Sequence, residues 1–341
     1  MNYPTTEHTL KSARHTTGYL ACGPEAGPLL IFVHGWPELS LSWRHQLPVF
    51  AALGFRCVAP DMRGYGRSST YTRHEDFAQE AIAADMLELL ASLGREHAIW
   101  IGHDWGGPVV WNIASHHPGR CVGVAGLCVP YVATGFELDS LVPLVDRSVY
   151  PEADYPVGQW DYHLFYEENF EAARQGFEAN VRNVVKALFR KGDPGAADKP
   201  GRLATIRKAG GWFGGGVCPD LPRDPDVLTG ADLDAYTAAL TRNGFFGPDS
   251  WYMNRKANRD YAQSAMNGGK LSMPVLFLHA AFDATCETIR SRLADPMRRD
   301  CSDLTEVIVK SGHWIAQEQP VIVNAALAKW LVAKLPDYWA A

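Results

Sequence analysis

The sequence predicts an α/β fold in which a mostly parallel sheet is flanked by helices and interrupted by a long helical segment. In the first part of the chain, continuous apolar runs such as Leu29–Val33 and Cys121–Leu127 alternate with stretches of helical periodicity. This alternation is typical of a parallel sheet that is covered on both faces. Between 134 and 267 no stretch has the pattern of a strand, and apolar runs return at 274–279 and 304–309. We therefore expect three segments, the first part of a core over 1–133, a helical lid over 134–267 and the second part of the core over 268–341.

Smaller elements are expected from local periodicity. Residues 8–20 alternate loosely, which predicts an N-terminal hairpin. One helix is expected over 162–190 within the lid, and another around 286–293 in the last part of the core. The glycine-rich segment 210–216 predicts a flexible or close-packed loop, because no strand precedes it and no Lys-Ser/Thr pair follows, as a phosphate-binding loop requires.

The segment from Ile101 to Gly107, IGHDWGG, stands between a predicted strand and a predicted helix. A Gly-x-nucleophile-x-Gly sequence at such a junction predicts a cramped turn that lifts one side chain above the sheet. That side chain is Asp104, where the usual motif has a serine. A carboxylate is poorly suited to acyl transfer, but it can displace a leaving group at saturated carbon and become an ester. An isolated aspartate here would more simply cap the following helix, and only the rest of the chain favours a nucleophile.

Two more candidate catalytic residues follow predicted strands. Asp283 comes after the run at 274–279, and His313 comes after the run at 304–309. Catalytic groups gather at the carboxyl ends of strands in such sheets, and the chain order nucleophile, acid, histidine is the one that this motif uses. Either residue alone would be a turn or surface residue. Together they predict a histidine that is oriented by Asp283 and can deprotonate water near neutral pH.

Composition excludes several classes of function. The 341 residues carry a net charge of −6 without a long run of Lys or Arg, so neither nucleic acid nor an anionic membrane is an expected partner. The seven cysteines lack C-x-x-C spacing, which predicts free, buried thiols in a reducing cytosol. The first twenty residues lack an apolar core, and no apolar run approaches the roughly 20 residues of a membrane span. We therefore expect a cytoplasmic protein without a signal peptide and with no metal or organic cofactor. The sequence does not decide between a monomer and a homodimer.

These motifs together resemble those of the α/β-hydrolase superfamily and, within it, the soluble epoxide hydrolases. The resemblance rests on four segments, which are HGWP from His34, the Asp104 motif, GYGRS from Gly64 and SGHW from Ser311. It covers nearly the whole chain. It implies the α/β-hydrolase fold with an inserted helical cap, an active site between cap and core, and a small-molecule epoxide and water as substrates.

The resemblance also implies the remaining site residues. The segments WDY, ending at Tyr162, and GPDSWY, ending at Tyr252, match two cap motifs whose tyrosines hydrogen-bond to the epoxide oxygen. Tyr166 lies one helical turn after Tyr162 and is an alternative to it, and packing is the simpler role for any single tyrosine in an aromatic-rich cap. His34 and His103 are expected to support the site structurally. The backbone N–H groups of Trp36 and Trp105 are implied as an oxyanion hole, and Pro37 is implied to follow a cis peptide bond. The implied walls of the substrate pocket are Pro37, Trp105, Phe165, Tyr166 and Trp314.

The implied reaction has two steps and several competitors. Asp104 attacks a ring carbon to form an alkyl ester, and water activated by His313 and Asp283 then releases a vicinal diol. A haloalkane dehalogenase shares the aspartate but needs halide-binding donors, and a haloacid dehalogenase needs arginines after the nucleophile, which 109–115 lacks. A serine esterase is disfavoured by Asp104 itself. A protein of this fold that binds a ligand without turnover is the alternative outside enzymes.

Overall fold

Eight strands form one sheet in the part of the chain that the computed structural model describes, residues 3–196 and 198–340. They are β1 (Thr6–Lys11), β2 (Thr16–Cys22), β3 (Leu29–Val33), β4 (Arg56–Pro60), β5 (Ala98–His103), β6 (Cys121–Leu127), β7 (Leu271–Ala280) and β8 (Cys301–Val309). Their order across the sheet is β1-β2-β4-β3-β5-β6-β7-β8. β1 and β2 form an antiparallel hairpin, β2 pairs antiparallel with β4, and the other neighbours are parallel. The α/β fold class and the N-terminal hairpin predicted from the sequence are confirmed.

Helices cover the sheet and fill the long connection between β6 and β7. The α-helices are α1 (Leu47–Ala52), α2 (Gln79–Ser92), α3 (Gly106–His116), α4 (Leu138–Leu141), α5 (Asp161–Glu178), α6 (Val181–Leu188), α7 (Gly230–Asn243), α8 (Phe246–Ser250), α9 (Arg255–Gln263), α10 (Asp295–Asp300), α11 (Ile315–Glu318), α12 (Pro320–Lys334) and α13 (Pro336–Ala340). Short 3₁₀ segments are Ser40–Trp43, His74–Phe77, Pro118–Arg120, Val142–Leu144, Gly158–Trp160, Pro194–Ala196, Arg202–Thr205, Trp251–Met253 and Met266–Gly269. Over the described ranges, none of the helices combines the length and the apolar character that crossing a membrane requires.

The connection from β6 to β7 contains α4 to α9, and the described residues within it form no strand. We call residues 134–267 the helical insertion. Its position in the chain agrees with the segment in which the sequence lacks a strand pattern. The division of the chain into a core and a lid at these boundaries remains a prediction.

The helix expected over 162–190 is in fact two helices. α5 ends at Glu178 and α6 begins at Val181. Between them Asn180 has an extended φ of −156°, and its side chain accepts a hydrogen bond from the backbone N–H of Asn183. Asparagine is a favoured N-cap because its side chain satisfies an unpaired first-turn amide, and this cap starts a new helix where the apolar pattern continues.

The helix expected around 286–293 is absent from these residues, all of which the structure describes. The chain forms bends and turns there, and the next helix, α10, begins later. The carboxylate of Glu287 accepts hydrogen bonds from the backbone N–H groups of Ile289, Arg290 and Ser291. A side chain that satisfies local backbone donors in this way competes with the hydrogen bonds of a helix.

Each face of the sheet is covered by an apolar layer. Alternate residues of β5 point to opposite faces, so Trp100 belongs to one layer and Ile99 and Ile101 to the other. The layer that contains Trp100 continues into the helical insertion, where it includes Tyr162 and Trp212. Burying one side chain of this size stabilises the fold by roughly 1.5–3 kcal/mol. The insertion and the sheet therefore share one continuous apolar layer.

The register of the parallel strands determines where the loops leave the sheet. Val33 at the end of β3 pairs with Gly102 near the end of β5, and Ala280 at the end of β7 pairs with Val309 at the end of β8. The loops that follow these strands consequently emerge side by side at one edge. All the catalytic residues predicted from the core segments lie in or directly after these loops.

Candidate active site

Asp104 occupies the tip of the turn between β5 and α3. Its φ of 49° lies in the left-handed region, which residues other than glycine adopt rarely. The turn is tight because residues 102 and 106 are glycines. A Cβ at Gly102 would collide with the carbonyl oxygen of Gly106, and a Cβ at Gly106 would collide with that of Val33. The aspartate side chain is therefore held above the carboxyl end of β5, as the motif predicts.

His313 and Asp283 reach the same place from the loops after β8 and β7. His313 Nε2 lies 3.3 Å from Oδ2 of Asp104, and His313 Nδ1 lies 2.9 Å from Oδ2 of Asp283. Asp283 is itself held by the backbone N–H of Thr285, which donates to Oδ1 at 2.8 Å. The structure thus brings together the three residues that the sequence proposes as a triad.

Two carboxyl groups flank the imidazole of His313. Burial acts to lower the pKa of His313, but Asp283 and Asp104 outweigh burial and raise this pKa well above its ordinary value. Burial acts to raise the pKa of Asp283, but the His313 ring and the N–H of Thr285 hold it below its ordinary value. The two carboxyl groups therefore favour the imidazolium form of His313 at rest. His313 becomes a base only when one of the neighbouring negative charges is lost.

The loop after β3 supplies a hydrogen-bond donor to Asp104. The backbone N–H of Trp36 donates to Oδ1 of Asp104 at 2.6 Å, and the bond between Trp36 and Pro37 is cis. A Cβ at Gly35 would collide with Oδ1 of Asp104, so glycine permits this close approach. Trp105, the other predicted donor, is the residue from which α3 starts, and its N–H is among the amides that a helix leaves unpaired. The Trp36 N–H is placed to stabilise negative charge that develops on the Asp104 carbonyl.

Glu38 and His103 form a hydrogen-bonded chain that ends at the backbone of His313. His103 Nδ1 lies 2.7 Å from Oε2 of Glu38, and its Nε2 lies 2.7 Å from the carbonyl oxygen of His313. Both partners are oxygen acceptors, so the His103 ring links the Glu38 carboxyl to the backbone of His313. Burial acts to raise the pKa of Glu38, but His103 lowers it to about 2. His34 accepts the backbone N–H of Met62 at Nε2 and is likewise engaged in a structural hydrogen bond.

Tyr162 on α5 and Tyr252 in the segment Trp251–Met253 face Asp104 from the helical insertion. Their ring centroids are 5.7 Å apart with an interplanar angle of 73°, and both line the same cavity as Asp104 and His313. Burial raises the pKa of each phenol well above its ordinary value. Both are therefore protonated at neutral pH and able to donate a hydrogen bond. Tyr166 instead stacks on Tyr252 with ring centroids 4.4 Å apart, so Tyr162 is the one of the two that faces the cavity.

The cavity that Asp104 and His313 share with the two tyrosines, which we call the substrate cavity, lies between the helical insertion and the ends of the strands. The space within it, counted together with the solvent at its mouth, is about 510 Å³. Its walls are Trp36, Asp104, Tyr162, Leu188, Leu203, Trp212, Tyr252, Thr285, His313 and Trp314. A smaller cavity of about 240 Å³ lies beside it and is lined by Asp104, Trp105, Pro108, Val129, Phe136, Tyr162, His163, Thr285 and Cys286. The predicted walls Trp314 and Trp105 are therefore found, one in each cavity.

Three predicted wall residues, Pro37, Phe165 and Tyr166, line neither of these cavities. α5 carries Phe165 and Tyr166 away from Asp104. Tyr166 packs on Tyr252, and the Phe165 ring reaches to 3.3 Å of where a Cβ on Gly211 would stand. The spacing of three or four residues along a helix brings these side chains near Tyr162 but does not direct them into the same space.

Trp212 is a wall residue that sequence reasoning missed. Its ring stacks on Trp36 at 5.6 Å and meets Tyr162 edge-on at 5.8 Å. Trp212 belongs to the glycine-rich segment 210–216, in which Gly210, Gly211, Gly214 and Gly215 all have positive φ. A large aromatic residue among glycines outside any helix was the available sequence indication that this loop packs against something.

Asp249 is a second residue that sequence reasoning missed. It is fully buried in α8, and its Oδ1 accepts a hydrogen bond from the indole Nε1–H of Trp36 at 3.0 Å. Burial raises the pKa of Asp249 well above its ordinary value, against the lowering effect of hydrogen bonds from Trp36 and Tyr166, so burial favours the neutral carboxyl. It links the helical insertion to the loop that carries Trp36.

The cysteines are free and buried, as the sequence predicts. Cys286 lines the smaller cavity beside Asp104. Burial raises the pKa of Cys286 well above its ordinary value, and the carboxyl groups of Asp283 and Asp104 raise it further. The Cys286 thiol is therefore protonated.

One group of side chains has the composition of a metal site. Ligand atoms of His103, Cys128 and His313 lie within 4.8 Å of one another. However, His103 Nε2 and Cys128 Sγ both donate to the carbonyl oxygen of His313, and His313 faces two carboxyl groups. These atoms are already engaged, so the arrangement does not fit a metal ion. The expectation that the chain needs no metal or organic cofactor remains a prediction.

Most of the chain is similar to proteins of described activity. Residues 28–320 match the model of the alpha/beta hydrolase fold family. The chain is 33% identical over 316 residues to Bifunctional epoxide hydrolase 2 of Rattus norvegicus, which covers 92% of this chain but 53% of that protein, so the chain spans about half the length of this relative. It is 34% identical over 320 residues to Epoxide hydrolase A of Mycobacterium tuberculosis, covering 91% of this chain and 92% of that protein. The crystal structure of Epoxide Hydrolase A from Mycobacterium thermoresistibile superposes with a TM-score of 0.78 at 32% identity, covering 96% of this chain and 98% of that chain.

Proposed function

Because the chain belongs to the alpha/beta hydrolase family and, within it, to the group of the epoxide hydrolases, we propose that it hydrolyses an epoxide to a vicinal diol through an ester on Asp104. One observation carries the proposal. An aspartate at the nucleophile turn shares a single cavity with a histidine and with two protonated tyrosines, Tyr162 and Tyr252. Opening an epoxide needs a nucleophile on one side of the ring and acids at its oxygen.

The first step forms the ester. A carboxylate oxygen of Asp104 attacks one ring carbon, and the bond from that carbon to the epoxide oxygen breaks. The oxygen takes a proton from Tyr162 or Tyr252, which hold it from the opposite wall. General acid assistance of this kind contributes typically about 10²–10⁴ in rate. The product is a hydroxyalkyl ester of Asp104 and one phenolate.

The second step releases the diol. Ester formation removes the charge of Asp104, so His313 retains only Asp283 as a neighbouring anion and gives up a proton, which restores the phenol. His313 then takes a proton from water as that water attacks the ester carbonyl. The N–H of Trp36, already 2.6 Å from Oδ1, stabilises the oxyanion. The bond between the carboxyl carbon of Asp104 and the diol oxygen breaks, and that oxygen takes the second proton of the attacking water. Asp104 is then again a carboxylate and His313 again an imidazolium.

The finer expectations about the whole protein belong to the same proposal. The helical insertion supplies Tyr162, Tyr252 and Trp212, which supports its role as a lid over a core made of residues 1–133 and 268–341. Free, buried thiols suit a reducing compartment such as the cytoplasm. The homodimer is checked by sedimentation of the purified chain.

The principal competitor is a haloalkane dehalogenase. That reaction needs donors that hold a halide, and an indole N–H is a suitable one. The indole N–H of Trp36 is instead engaged by Asp249. The indole N–H of Trp212 has no hydrogen-bond partner among the described residues but is a single donor, while the cavity offers two phenols. These observations favour an epoxide.

A side-by-side assay tests the proposal. The purified chain is given an aryl epoxide and, separately, a primary chloroalkane or bromoalkane, and diol and halide release are followed. We expect diol without halide. Halide without diol would overturn the role of the tyrosines as acids, and no product from either class would overturn the proposed function.

A further inference from the structure

A third cavity lies behind Trp105, on the side away from the substrate cavity. The space within it, counted together with the solvent at its mouth, is about 360 Å³. We call it the Glu137 cavity, and its lining includes Gln79, Trp105, Asn112, Phe136, Glu137 and Asn258. The polar residues of this lining lie outside the sequence motifs of Asp104, His313, Tyr162 and Tyr252.

The three cavities form a row. The smaller cavity beside Asp104 shares Trp105, Pro108 and Phe136 with the Glu137 cavity. It shares Asp104 and Tyr162 with the substrate cavity. A molecule with its reacting carbon at Asp104 and a long substituent pointing past Trp105 would therefore place the end of that substituent at the Glu137 cavity.

The Glu137 cavity contains a buried carboxyl and a buried amide nitrogen without a partner. The Glu137 residue is only 5% exposed. Burial raises the pKa of its carboxyl to about 8, against the lowering effects of the Asn258 amide and the Arg255 guanidinium. The side-chain nitrogen of Gln79 is also buried and has no hydrogen-bond partner within residues 3–196 and 198–340, whereas the Asn258 amide is hydrogen-bonded to the Glu137 carboxyl. Buried polar groups in folded proteins are nearly always paired, so Gln79 indicates an occupant that accepts a hydrogen bond, and the Glu137 carboxyl beside it offers that occupant an acceptor.

The combination of groups restricts the chemistry of the occupant. The amide N–H donor of Gln79 disfavours a cation, and a buried carboxyl disfavours an anion. A hydroxyl group has the required character, because it donates one hydrogen bond and accepts others. We propose that the Glu137 cavity binds a hydroxyl group at the far end of the substrate's longer substituent, and that Glu137 thereby selects hydroxyl-bearing epoxides. This assignment rests on the proposed epoxide hydrolysis.

Matched substrates test the proposal. A series of 1,2-epoxyalkanes of increasing length is prepared with either a free hydroxyl or its methyl ether at the far end. The ether keeps the oxygen but cannot donate to Glu137. At the length that spans the row of cavities, we expect the hydroxyl form to have a KM about tenfold lower than the ether, the size of a typical buried hydrogen bond, with little difference in kcat.

Variants locate the effect. Glu137→Met keeps a comparable volume without a hydrogen-bonding group, so the ratio of the two KM values should fall to about one. Glu137→Gln, which both donates and accepts, should retain most of the preference. Asp139→Asn is the matched control, since Asp139 lies two residues further on and pairs at the surface with Arg259, and it should behave as the unmodified chain. Because each ratio compares two substrates on one protein, a general loss of folded enzyme cancels.

A binding measurement separates this inference from the proposed function. Calorimetry compares the binding of long-chain α,ω-alkanediols and their monomethyl ethers to the unmodified chain and to Glu137→Met. If no epoxide is turned over but the diols bind about tenfold more tightly than the ethers and lose this advantage in Glu137→Met, the cavity assignment holds while the proposed reaction fails. Equal binding of diol and ether, or a preference that Glu137→Met leaves intact, overturns the assignment and leaves water as the occupant.

Discussion

Removing the charge of Asp104 should lower the pKa of His313, because the proposed second step depends on that change. Asp104→Asn keeps the shape of the side chain and deletes its charge. The two groups are 3.3 Å apart, and a unit charge pair at this distance interacts by about 5 kcal/mol at an effective dielectric constant near 20. At about 1.4 kcal/mol per pKa unit, this sets an upper limit of about 3–4 units. Water at the cavity mouth screens part of it, since the His313 side chain is 17% exposed, and we expect a fall of at least about one unit.

The assay is a pH titration of the histidine ring resonances by NMR in the unmodified chain and in Asp104→Asn. Comparison with His313→Gln assigns the resonance of His313. Intact mass verifies that the introduced amide persists throughout. A pKa of His313 that is the same in both proteins, within experimental error, would refute the reasoning that ester formation converts His313 into a base.

The same change has a consequence for stability. A group whose pKa is raised by folding stabilises the folded state in full below its unfolded value, near 6.5 for histidine. That contribution is lost as the pH rises through the folded pKa. In Asp104→Asn the raised pKa is lower, so the stabilisation by His313 should be smaller and should disappear at a lower pH. Urea unfolding across the range from about pH 6 to 9 measures both curves.

Three further predictions address the other parts of the site. Tyr162→Phe and Tyr252→Phe should each lower kcat on the epoxide about tenfold to hundredfold, and the double change should lower it by about 10²–10⁴. Tyr166→Phe is the control and should change kcat by less than about twofold. Equal losses of kcat at all three positions in steady-state kinetics would contradict the assignment. His313→Gln should accumulate the substrate ester, seen as an added mass on the intact protein, and Asp104→Ala combined with His313→Gln should show none. Asp249→Ala should lower the free energy of unfolding by about 2–4 kcal/mol, because it leaves a void and an unpaired Trp36 indole N–H. Asp249→Asn should lower it by less than about 1 kcal/mol, because it replaces a neutral carboxyl with a neutral acceptor. Urea denaturation measures both changes, and equal losses of stability would contradict a neutral Asp249.

The strands and the turn at Asp104 could be predicted from the sequence because their determinants are local. A continuous apolar run such as Leu29–Val33 indicates a strand that is buried on both faces of a parallel sheet. The glycines at 102 and 106 are required because a side chain there would collide with residues of the same turn or of the adjacent strand. The meeting of Asp104, Asp283 and His313 could be predicted because all three follow strands whose carboxyl ends share one edge.

The walls of the cavities could not be predicted in the same way. Tyr162 and Tyr166 lie on one side of the same helix, and only the position of Tyr252 decides which of them is covered by a stacked ring. Trp212 lies in a loop whose path depends on positive φ at several glycines. Glu137 directly precedes α4, a helix of only four residues, which is too short to show the hydrophobic periodicity that would indicate which side of the chain is buried. Such positions depend on packing between segments distant in the sequence, which residue patterns do not encode.

The burial of the thiols has a meaning that follows from the proposed substrate. An epoxide is an electrophile, and the form of cysteine that it would alkylate is the thiolate. Cys286 forms part of a cavity wall next to Asp104, within reach of the same molecule that the aspartate attacks. Yet Asp283 and Asp104, together with burial, hold this sulfur in its protonated, weakly nucleophilic form. The carboxyl groups that we propose for the reaction therefore also protect the protein from self-alkylation, since their negative charges favour attack through oxygen over attack through sulfur.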